Sequence, residues 1–250
     1  MGPNGTFTSS PRLRRQPGQA AHSLSATEQY AVAVDVALFT IQENSLKVLL
    51  VKRRVPPFSG AWSLPGGFVR RDESVDEAAL RELQEETGIR TVYLEQLYTF
   101  GELHRDPRGR VISVSYYAVV GWERFHAGGA EQRARDEAWY PVNRLPAVAL
   151  DHRDIVQAAL ERLRNKVNYT SVAFQLLPKK FSLSELQRAY EVIMGQRLDK
   201  RNFRKKMLQL GILRGTGEQQ SQGRQRPARL YAFTETRVIK LQEKGIIVPF

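Results

Sequence analysis

Short apolar runs separated by turn residues dominate the first two thirds of this 250-residue chain. The runs are rich in valine, alanine and aromatic residues, and Asn, Gly, Pro and Asp bound them, which is typical of strands. We predict strands at residues 30–41, 46–52, 92–100, 111–122 and near 139–142, with a turn at Asn44 and Ser45 between the first two and a Pro/Gly loop, VPPFSGAWSLPGG, after the second. Apolar residues at helical spacing then predict a helix at 151–166, so the pattern indicates an α/β unit.

Helical spacing dominates the last third of the chain. Ser182 and Glu185 form the capping-box pattern SLSE, and apolar residues then recur at intervals of three and four until Gly195. Asp199 can cap a second helix, whose apolar stripe stops at Gly211. The sequence therefore predicts two helices, each with a defined beginning and end.

The chain after these helices predicts a hairpin with a long basic tip. Residues 212–214 and 229–233 have strand-like composition, and the polar sequence GTGEQQSQGRQRPA joins them. A helix, a basic helix and a two-stranded hairpin in this order resemble a winged helix-turn-helix.

Positive charge is concentrated in the same region. The formal net charge is +12; residues 166–250 hold 17 Lys and Arg against 6 Asp and Glu, whereas residues 26–165 hold 18 against 20. A near-neutral unit joined to a basic one favours a small-molecule site and a polyanion-binding module in one chain. We therefore predict a disordered arm at 1–25, an effector-binding or catalytic domain at 26–165 and a DNA-binding domain at 166–250.

Several kinds of site are excluded or disfavoured by composition. The chain has no cysteine, which excludes disulfides, thiolate nucleophiles and Cys-ligated zinc. Its four histidines are scattered and make no metal-ligand spacing: His22, His104, His126 and His152. No apolar run approaches the roughly 20 residues of a spanning helix, and no signal-peptide core is present at the N-terminus. We expect a soluble cytoplasmic protein without a membrane partner.

The segment at residues 67–89, GFVRRDESVDEAALRELQEETGI, carries the most specific chemical pattern of the chain. As a loop entering a helix, it places Glu82, Glu85 and Glu86 at i, i+3 and i+4 on one helical face. Three carboxylates at that spacing repel one another unless a cation lies among them. A hard divalent ion such as Mg²⁺, shared with substrate phosphate oxygens, satisfies that demand, and a solvated acidic face is the alternative.

This segment resembles the Nudix box, with all its defining positions present. The resemblance implies an α/β fold, with an N-terminal Nudix α/β/α sandwich. Its site would bind or cleave nucleoside diphosphates linked to another moiety. It implies that Mg²⁺ (or Mn²⁺) binds Glu82, Glu85 and Glu86 if the site is catalytic. It also implies a supporting ion pair between Arg81 and Glu73, so these five residues form the expected catalytic set.

Residues just before the box are candidates for ligand binding. Arg53 and Arg54 could hold a phosphate, or they could belong to a solvated strand end. Gly66 and Gly67 let the backbone turn sharply beside phosphates.

Two further roles remain open on the sequence alone. Trp62 and Phe58 could stack on an adenine ring, although aromatic residues near such loops are more often part of the core. Many Nudix hydrolases keep an extra catalytic glutamate outside the box, and Glu102 and Glu137 are the candidates for it.

The second helix of the basic domain has the composition of a DNA recognition helix. Such a helix needs cations for phosphates and hydrogen-bonding side chains for base edges. The sequence offers Asn202 for adenine, Arg201 and Arg204 for guanine, and Lys205 and Lys206 for phosphates. Three arginines of the hairpin could reach the minor groove or the DNA backbone: Arg214, Arg224 and Arg226. A basic solvated helix is the alternative.

The combination of domains resembles the Nudix-related transcriptional regulators of bacterial NAD metabolism, the NrtR family, over residues 28–250. That family implies a homodimer on a palindromic double-stranded DNA operator, repressing NAD biosynthesis or salvage genes. ADP-ribose, or a related NAD-derived nucleotide, is then the effector that releases the DNA. Members often have eroded boxes, whereas this box is intact. The alternative is therefore a Mg²⁺-dependent ADP-ribose pyrophosphatase that forms AMP and ribose 5-phosphate.

Overall fold

The computed structural model describes residues 30–89, 92–127, 136–168, 170–221 and 227–234. The predicted arm at 1–25 lies outside the described residues. In chain order the first unit comprises β1 (Ala31–Gln42), β2 (Ser45–Lys52), β3 (Trp62–Ser63), β4 (Gly66–Phe68), α1 (Val75–Thr87), β5 (Tyr93–Phe100), β6 (Val111–Val119), α2 (Trp122–Ala127), β7 (Glu137–Pro141) and α3 (His152–Val167). The second comprises a 3-10 helix (Val172–Leu176), β8 (Phe181–Ser182), α4 (Leu183–Met194), α5 (Lys200–Gln209), β9 (Leu213–Gln220) and β10 (Ala228–Phe233).

Strand β1 is the centre of the first unit. The main sheet has the order β3-β2-β1-β6-β5, with β4 also paired to β1 and β7 also paired to β2. The β1–β6 pair is parallel, and the other pairs are antiparallel. Because a strand alternates its side chains, β1 supplies both faces of the core. Val36 and Leu38 pack with α1, whereas Ala37 and Phe39 pack with α3. The sheet between two helices confirms the predicted α/β/α sandwich.

The strand predictions are confirmed except at three places. The predicted strand to residue 122 is wrong at its end, because β6 stops at Val119 and Trp122 begins α2, where its ring stacks on Phe125. The short strands β3 and β4 lie inside the segment predicted as a Pro/Gly loop. The turn between β1 and β2 is centred on Glu43 and Asn44, one residue earlier than predicted, and both have positive φ.

The second unit is a winged helix, as predicted. Ser182 and Glu185 form the capping box of α4, and Gly195 ends that helix in the left-handed conformation at φ 71°. The side chain of Asp199 caps α5 by accepting a hydrogen bond from the Asn202 backbone at 2.8 Å. The hairpin forms a sheet of order β8-β10-β9. Strand β9 extends well into the segment predicted as loop, so the wing is longer and more regular than expected.

Helix α3 joins the two units into one continuous apolar core. Ile155 and Leu163 of α3 lie in the same cluster of buried side chains as Leu186 and Ile193 of α4. Arg164 of α3 also donates a hydrogen bond from Nε to the Ile193 carbonyl oxygen at 3.0 Å. The proposed domain boundary after residue 165 falls in the last turn of α3. No helix among the described residues has the length and apolar composition to cross a membrane.

A carboxylate on β5 fastens α3 to the sheet. Glu95 accepts hydrogen bonds from Lys166 Nζ at 2.6 Å, Tyr117 at 3.0 Å and Tyr93, and Arg162 lies 3.5 Å away. Burial acts to raise the pKa of Glu95, but hydrogen bonds from Lys166 and the two tyrosines outweigh it and hold the pKa below its usual value.

We predict that Glu95→Gln lowers the free energy of unfolding at pH 7 by about 1–2 kcal/mol, because the ionised partner of Lys166 is lost. A depressed folded-state pKa contributes stability above the ordinary glutamate pKa, and this contribution is lost as pH falls through the lowered value. Urea unfolding at pH 7 and pH 3 should therefore show a gap between the two proteins that narrows in acid. The control is Glu161→Gln, at an exposed position of α3. An equal gap at both pH values would contradict this account.

Candidate functional site

A cavity of about 910 Å³ opens in the first unit, between α1 and the loop that connects β5 to β6. Its acidic lining residues are Asp35, Glu82, Glu85, Glu86, Asp106, Asp136 and Glu137. Its basic lining residues are Lys52, Arg53, Arg54, Arg105 and Arg108. Opposite charges therefore face one another across a volume that is large enough for a small ligand.

Helix α1 presents the glutamates of the box to this cavity. The helix begins at a capping box in which Ser74 and Glu77 satisfy each other's backbone N–H groups, and Gly88 ends it at φ 73°. Its apolar face, with Ala79 and Leu83 fully buried, fixes the rotation of the helix against β1. The adjoining face carries the three glutamates predicted as metal ligands, and the structure brings all of them to the cavity wall.

The two glycines where the box begins, Gly66 and Gly67, are required by close packing. A methyl group at Gly66 would lie 2.2 Å from the Val34 carbonyl oxygen, and one at Gly67 would lie 2.2 Å from Glu82 Oε1. Both distances are far shorter than van der Waals contact, so a side chain at either position would displace its neighbours. Backbone and carboxylates can therefore meet here only because both residues lack a Cβ.

Arg81 binds the carboxylates around it, as the sequence predicts for its pair with Glu73. Its guanidinium donates to both oxygens of Glu73, at 2.8 and 2.6 Å, and lies 2.6 Å from Glu82 and 3.4 Å from Glu85. The hydrogen bonds that Arg81 donates to Glu73 lower the pKa of Glu73 to about 2 and raise the pKa of Arg81. Arg70, which the sequence did not single out, adds a second contact to Glu85 at 3.3 Å.

Glu86 occupies the least favourable electrostatic position of the three. Its Oε2 accepts a hydrogen bond from the Gly66 backbone N–H at 3.1 Å. The pKa of Glu86 is raised to about 8, chiefly by burial; the carboxylates of Glu82 and Asp35 act in the same direction, and the Gly66 hydrogen bond opposes them. The Glu86 carboxylate therefore lies where a positive charge would be strongly stabilised.

The box supplies suitable donors for a hard divalent ion without a preformed cage. Glu82, Glu85 and Glu86 offer carboxylate oxygens, which such ions prefer. In the part of the chain that the structure describes, no three acidic or imidazole side chains converge as a metal site would require. Arg81 holds two of the three glutamates instead. The chemistry of the donors fits a divalent ion, and the side chains would have to rearrange around it.

A buried network beneath the cavity was missed by sequence reasoning. Arg105 donates to both oxygens of Asp151, at 2.7 and 2.6 Å, and lies 3.3 Å from Asp35. His152 Nδ1 accepts a hydrogen bond from the Leu64 backbone, and its Nε2 lies 3.3 Å from Asp35. Burial lowers the pKa of His152, which favours the neutral ring. Asp35 is the one charged residue in the apolar run of β1, and that was the signal available in the sequence.

The predicted ligand-binding arginines, Arg53 and Arg54, both line the cavity. Arg53 Nε donates to the Pro57 carbonyl oxygen at 3.0 Å, and Arg54 pairs with Asp136 at 3.3 Å on the surface. Their guanidinium groups are therefore anchored close to the cavity wall without being buried in it.

Of the aromatic and glutamate candidates outside the box, one lines the cavity. Trp62 packs against the core, in edge contact with Tyr140. Neither Trp62 nor the exposed Phe58 is among the described residues that line the cavity. Glu137 lines the cavity, whereas Glu102 is exposed outside it.

The predicted DNA-contacting residues fall into three groups. Arg201, Asn202 and Lys205 are exposed on α5, on the side away from Phe203 and Met207, which are buried. Lys206 is partly buried, and Arg204 turns back towards α4, where its Nη2 lies 3.1 Å from Ser184 Oγ. Arg214 is exposed on β9, whereas Arg224 and Arg226 lie outside the described residues.

Comparisons with known proteins agree with both units. A NUDIX domain model matches residues 29–159, and a model of the NrtR DNA-binding winged helix domain matches residues 173–233. The chain is 37% identical over 206 residues to the ADPR responsive transcriptional repressor NtrR of Acinetobacter baylyi, covering 81% of each protein. It superposes on Shewanella oneidensis NrtR, solved in complex with a 27mer DNA, with a TM-score of 0.75 and 36% identity over 83% of this chain and 95% of that one. It is also 40% identical to the ADP-ribose pyrophosphatase of Methanocaldococcus jannaschii over 127 residues, covering 51% of this chain and 71% of that protein.

We predict that Gly66→Ala destabilises the protein by about 1–3 kcal/mol, because the added methyl group meets the backbone of β1 and cannot be accommodated by a side-chain rotation. Chemical unfolding of the purified variants measures the loss. Gly101→Ala is the matched control, since a methyl group there meets nothing within 4 Å. Equal stability of the two variants would show that the close approach of β4 to β1 is not a structural requirement.

Proposed function

The chain belongs to the NrtR family of Nudix-related transcriptional regulators, and we propose that it represses genes of NAD biosynthesis or salvage and releases DNA when ADP-ribose binds. The observation that carries this proposal is a charged cavity of about 910 Å³ and a basic winged helix built on one continuous apolar core. Because its partner is DNA, we place the protein in the cytoplasm.

The exposed face of α5 supports the DNA-binding part of the proposal. Asn202 can form paired hydrogen bonds with an adenine edge, Arg201 can do so with guanine, and Lys205 is suited to a phosphate. Arg204 is assigned a supporting role, because its contact with Ser184 turns it towards α4. Arg214 extends the basic surface to the wing. Two such units on a two-fold axis would bind the half-sites of a palindromic operator.

The cavity supports an elongated anionic effector such as ADP-ribose. Its volume lies within the range of about 300–1,000 Å³ that is usual for small-molecule sites. Arg53, Arg54 and Arg108 are among the lining residues, so negative charge on the ligand can be matched. The glycine pair allows the ligand's diphosphate to approach the backbone.

Nudix domains use divalent metal ions, and we assign Glu82, Glu85 and Glu86 as the residues that would hold Mg²⁺ or Mn²⁺ here. When bound, the ion would neutralise diphosphate charge and could activate a water molecule. Arg81 and Glu73 keep the loop against α1, so that the three glutamates stay on the cavity wall. Glu86 contributes a carboxylate whose burial among other acids favours a cation beside it.

Helix α3 provides the physical connection between effector and DNA. Its first residue, His152, lies in the cavity lining, and Asp151 just before it holds Arg105. Its last turns pack against α4, and Arg164 binds the carbonyl of Ile193 there. An effector that binds more tightly to one orientation of this helix shifts the population towards that orientation, by no more than its differential affinity.

A second candidate function is favoured by the intact box. All three glutamates line the cavity, and part of the chain is similar to an ADP-ribose pyrophosphatase. In that reaction water adds to one phosphorus, the P–O–P bond breaks, and AMP and ribose 5-phosphate leave. A regulator with this activity would slowly remove its own effector.

We predict that Lys205→Ala weakens DNA binding for all sequences and lowers the slope of log affinity against log salt by about one, because one phosphate contact is lost. Asn202→Ala should instead reduce discrimination at one base position. Fluorescence anisotropy with a palindromic duplex, selected by the protein from random sequences, measures both effects. Arg144→Ala removes an exposed cation from the first unit and is the control. DNA affinity that falls equally in Arg144→Ala and Lys205→Ala would contradict the assignment of α5.

We predict that wild-type protein with Mg²⁺ converts ADP-ribose to AMP, and that Glu85→Gln/Glu86→Gln abolishes this conversion while DNA affinity is retained, because the substituted carboxylates line the cavity of the first unit and are not part of α5. Chromatographic detection of AMP and the anisotropy assay measure the two properties separately. Wild-type protein that forms no AMP would overturn the second candidate function alone. Loss of DNA binding in the double variant would instead show that the two units do not act separately.

A further inference from the structure

The two residues that lead into helix α3 have an unusual backbone conformation. Leu150, which lines the cavity, has a positive φ of 56°. A residue other than glycine is uncommon in this left-handed region, and the conformation persists only where the surrounding structure holds it. Asp151 follows with φ −93° and ψ 18°. The start of α3 is therefore held under backbone strain beside the cavity.

Asp151 occupies the N-cap position of α3, yet it does not cap the helix. Aspartate is among the preferred N-cap residues, because its carboxylate accepts hydrogen bonds from N–H groups that the first turn leaves unpaired. A capping residue normally has an extended ψ, as Ser74, Ser182 and Asp199 have before α1, α4 and α5. Within the described helix α3, the side chain of Asp151 makes no capping hydrogen bond, and its ψ is not extended.

The carboxylate of Asp151 is bound by Arg105 instead. Its two oxygens accept hydrogen bonds from Arg105 Nε at 2.7 Å and from Nη2 at 2.6 Å. The Arg105 side chain is only 2% exposed, and its Nη2 also lies 3.3 Å from Asp35 on β1. A bidentate pair between charged groups is among the strongest hydrogen-bonded contacts in proteins. This pair holds Asp151 away from the helix that it could cap.

The loop between β5 and β6, which contains Arg105, is stiffened by hydrogen bonds of its own. Asp106 accepts hydrogen bonds from the Arg108 backbone N–H at 2.9 Å and from its Nη2 at 2.6 Å. Arg110 Nη1 donates to the Gly101 carbonyl oxygen at 2.5 Å. Arg108 lines the cavity, and its side chain is 35% exposed. An anion that binds Arg108 therefore acts on a stiff segment that also contains Arg105.

Asp151 thus has two chemically suitable partners, Arg105 and the first turn of its own helix. The structure satisfies the first partner only, because that pair uses both carboxylate oxygens and because capping requires a different ψ. An element with two discrete arrangements is what can carry coupling between distant sites. The far end of α3 packs against α4 of the winged helix, so the element is placed between the cavity and the DNA-binding unit.

We propose that Asp151 is a switch residue, which binds Arg105 in one state of the protein and caps α3 in the other. An anionic effector that displaces the loop of Arg105 favours the second arrangement, which relieves the left-handed backbone at Leu150 and shifts α3 against α4. This inference rests on the proposed function, in which ADP-ribose releases DNA. The opposing account is that the Arg105–Asp151 pair only fastens the loop to α3.

Substitutions that keep the capping ability of Asp151 but weaken its pair with Arg105 separate the two accounts. Asp151→Asn keeps the size of the side chain and removes its charge, and Asp151→Ser also removes its reach; both residues are good N-caps. The control is Asp154→Asn, which removes the same charge from an exposed position in the first turn of α3.

Fluorescence anisotropy measures DNA affinity without ADP-ribose and at saturation, and the ratio of the two affinities is the coupling factor. Isothermal titration measures the affinity of the free protein for ADP-ribose. Chromatography confirms that ADP-ribose is intact at the end of each titration.

We expect a coupling factor between about 5 and 150 in wild-type protein and in Asp154→Asn, and a factor below about 2 in both Asp151 variants. The Asp151 variants favour the capped arrangement, so without ADP-ribose their DNA affinity should already lie near that of the effector-bound wild type. Their affinity for ADP-ribose should be equal to that of the wild type or higher, which a folding defect would not produce.

Amide hydrogen exchange tests the capping itself. In wild-type protein, ADP-ribose should slow exchange in the first turn of α3, because the N–H groups there gain the carboxylate as a partner. In Asp151→Asn the same amides should exchange slowly before ADP-ribose is added.

Four results would overturn the inference. A wild-type coupling factor in both Asp151 variants would overturn it and leave the proposed function intact, as would unchanged exchange in the first turn of wild-type α3. A loss of affinity for both DNA and ADP-ribose in the variants would assign the Arg105–Asp151 pair a structural role only. A coupling factor of one in wild-type protein would overturn the proposed function together with the inference.

Discussion

The close approach of strand β4 to β1 and α1 is the constraint on which the site depends. Gly66 and Gly67 leave no room for a Cβ, with 2.2 Å to the nearest oxygen in each case. This contact brings the Gly66 N–H to Glu86 and the backbone of Gly67 to Glu82. It also places Phe68 at the rim of the cavity. Carboxylates, backbone donors and an aromatic ring are thus gathered by one short strand.

The sequence could predict the parts of this arrangement that are local. Helical periodicity places three glutamates on one face of α1, and capping patterns mark where α1, α4 and α5 begin. The buried network could not be predicted from local sequence, because Asp35 and Arg105 are 70 residues apart and meet only through the pairing of β1 with β6. The end of β6 was mispredicted because apolar residues continue past Val119 to Trp122, and composition does not show where the strand ends and the helix at Trp122 begins.

The shared core explains how one chain can combine the two units. Helix α3 begins at the cavity with His152 and ends against α4, which also packs against the basic helix α5. Packed helices of this kind move as rigid bodies, so a displacement of α3 at its cavity end also displaces the end that packs against α4. Electrostatics acts at the cavity end, where burial and the neighbouring carboxylates of Glu82 and Asp35 raise the pKa of Glu86 and favour a cation beside it.

The central claim, that the cavity and the winged helix are linked through one effector, is tested most directly by a thermodynamic cycle. The affinity for operator DNA is measured without ADP-ribose and at saturation, and the affinity for ADP-ribose is measured in free and DNA-bound protein. We expect both affinities to fall by the same factor, between about 5 and 150, because coupling between two sites is reciprocal. A factor of one in both directions would contradict the account.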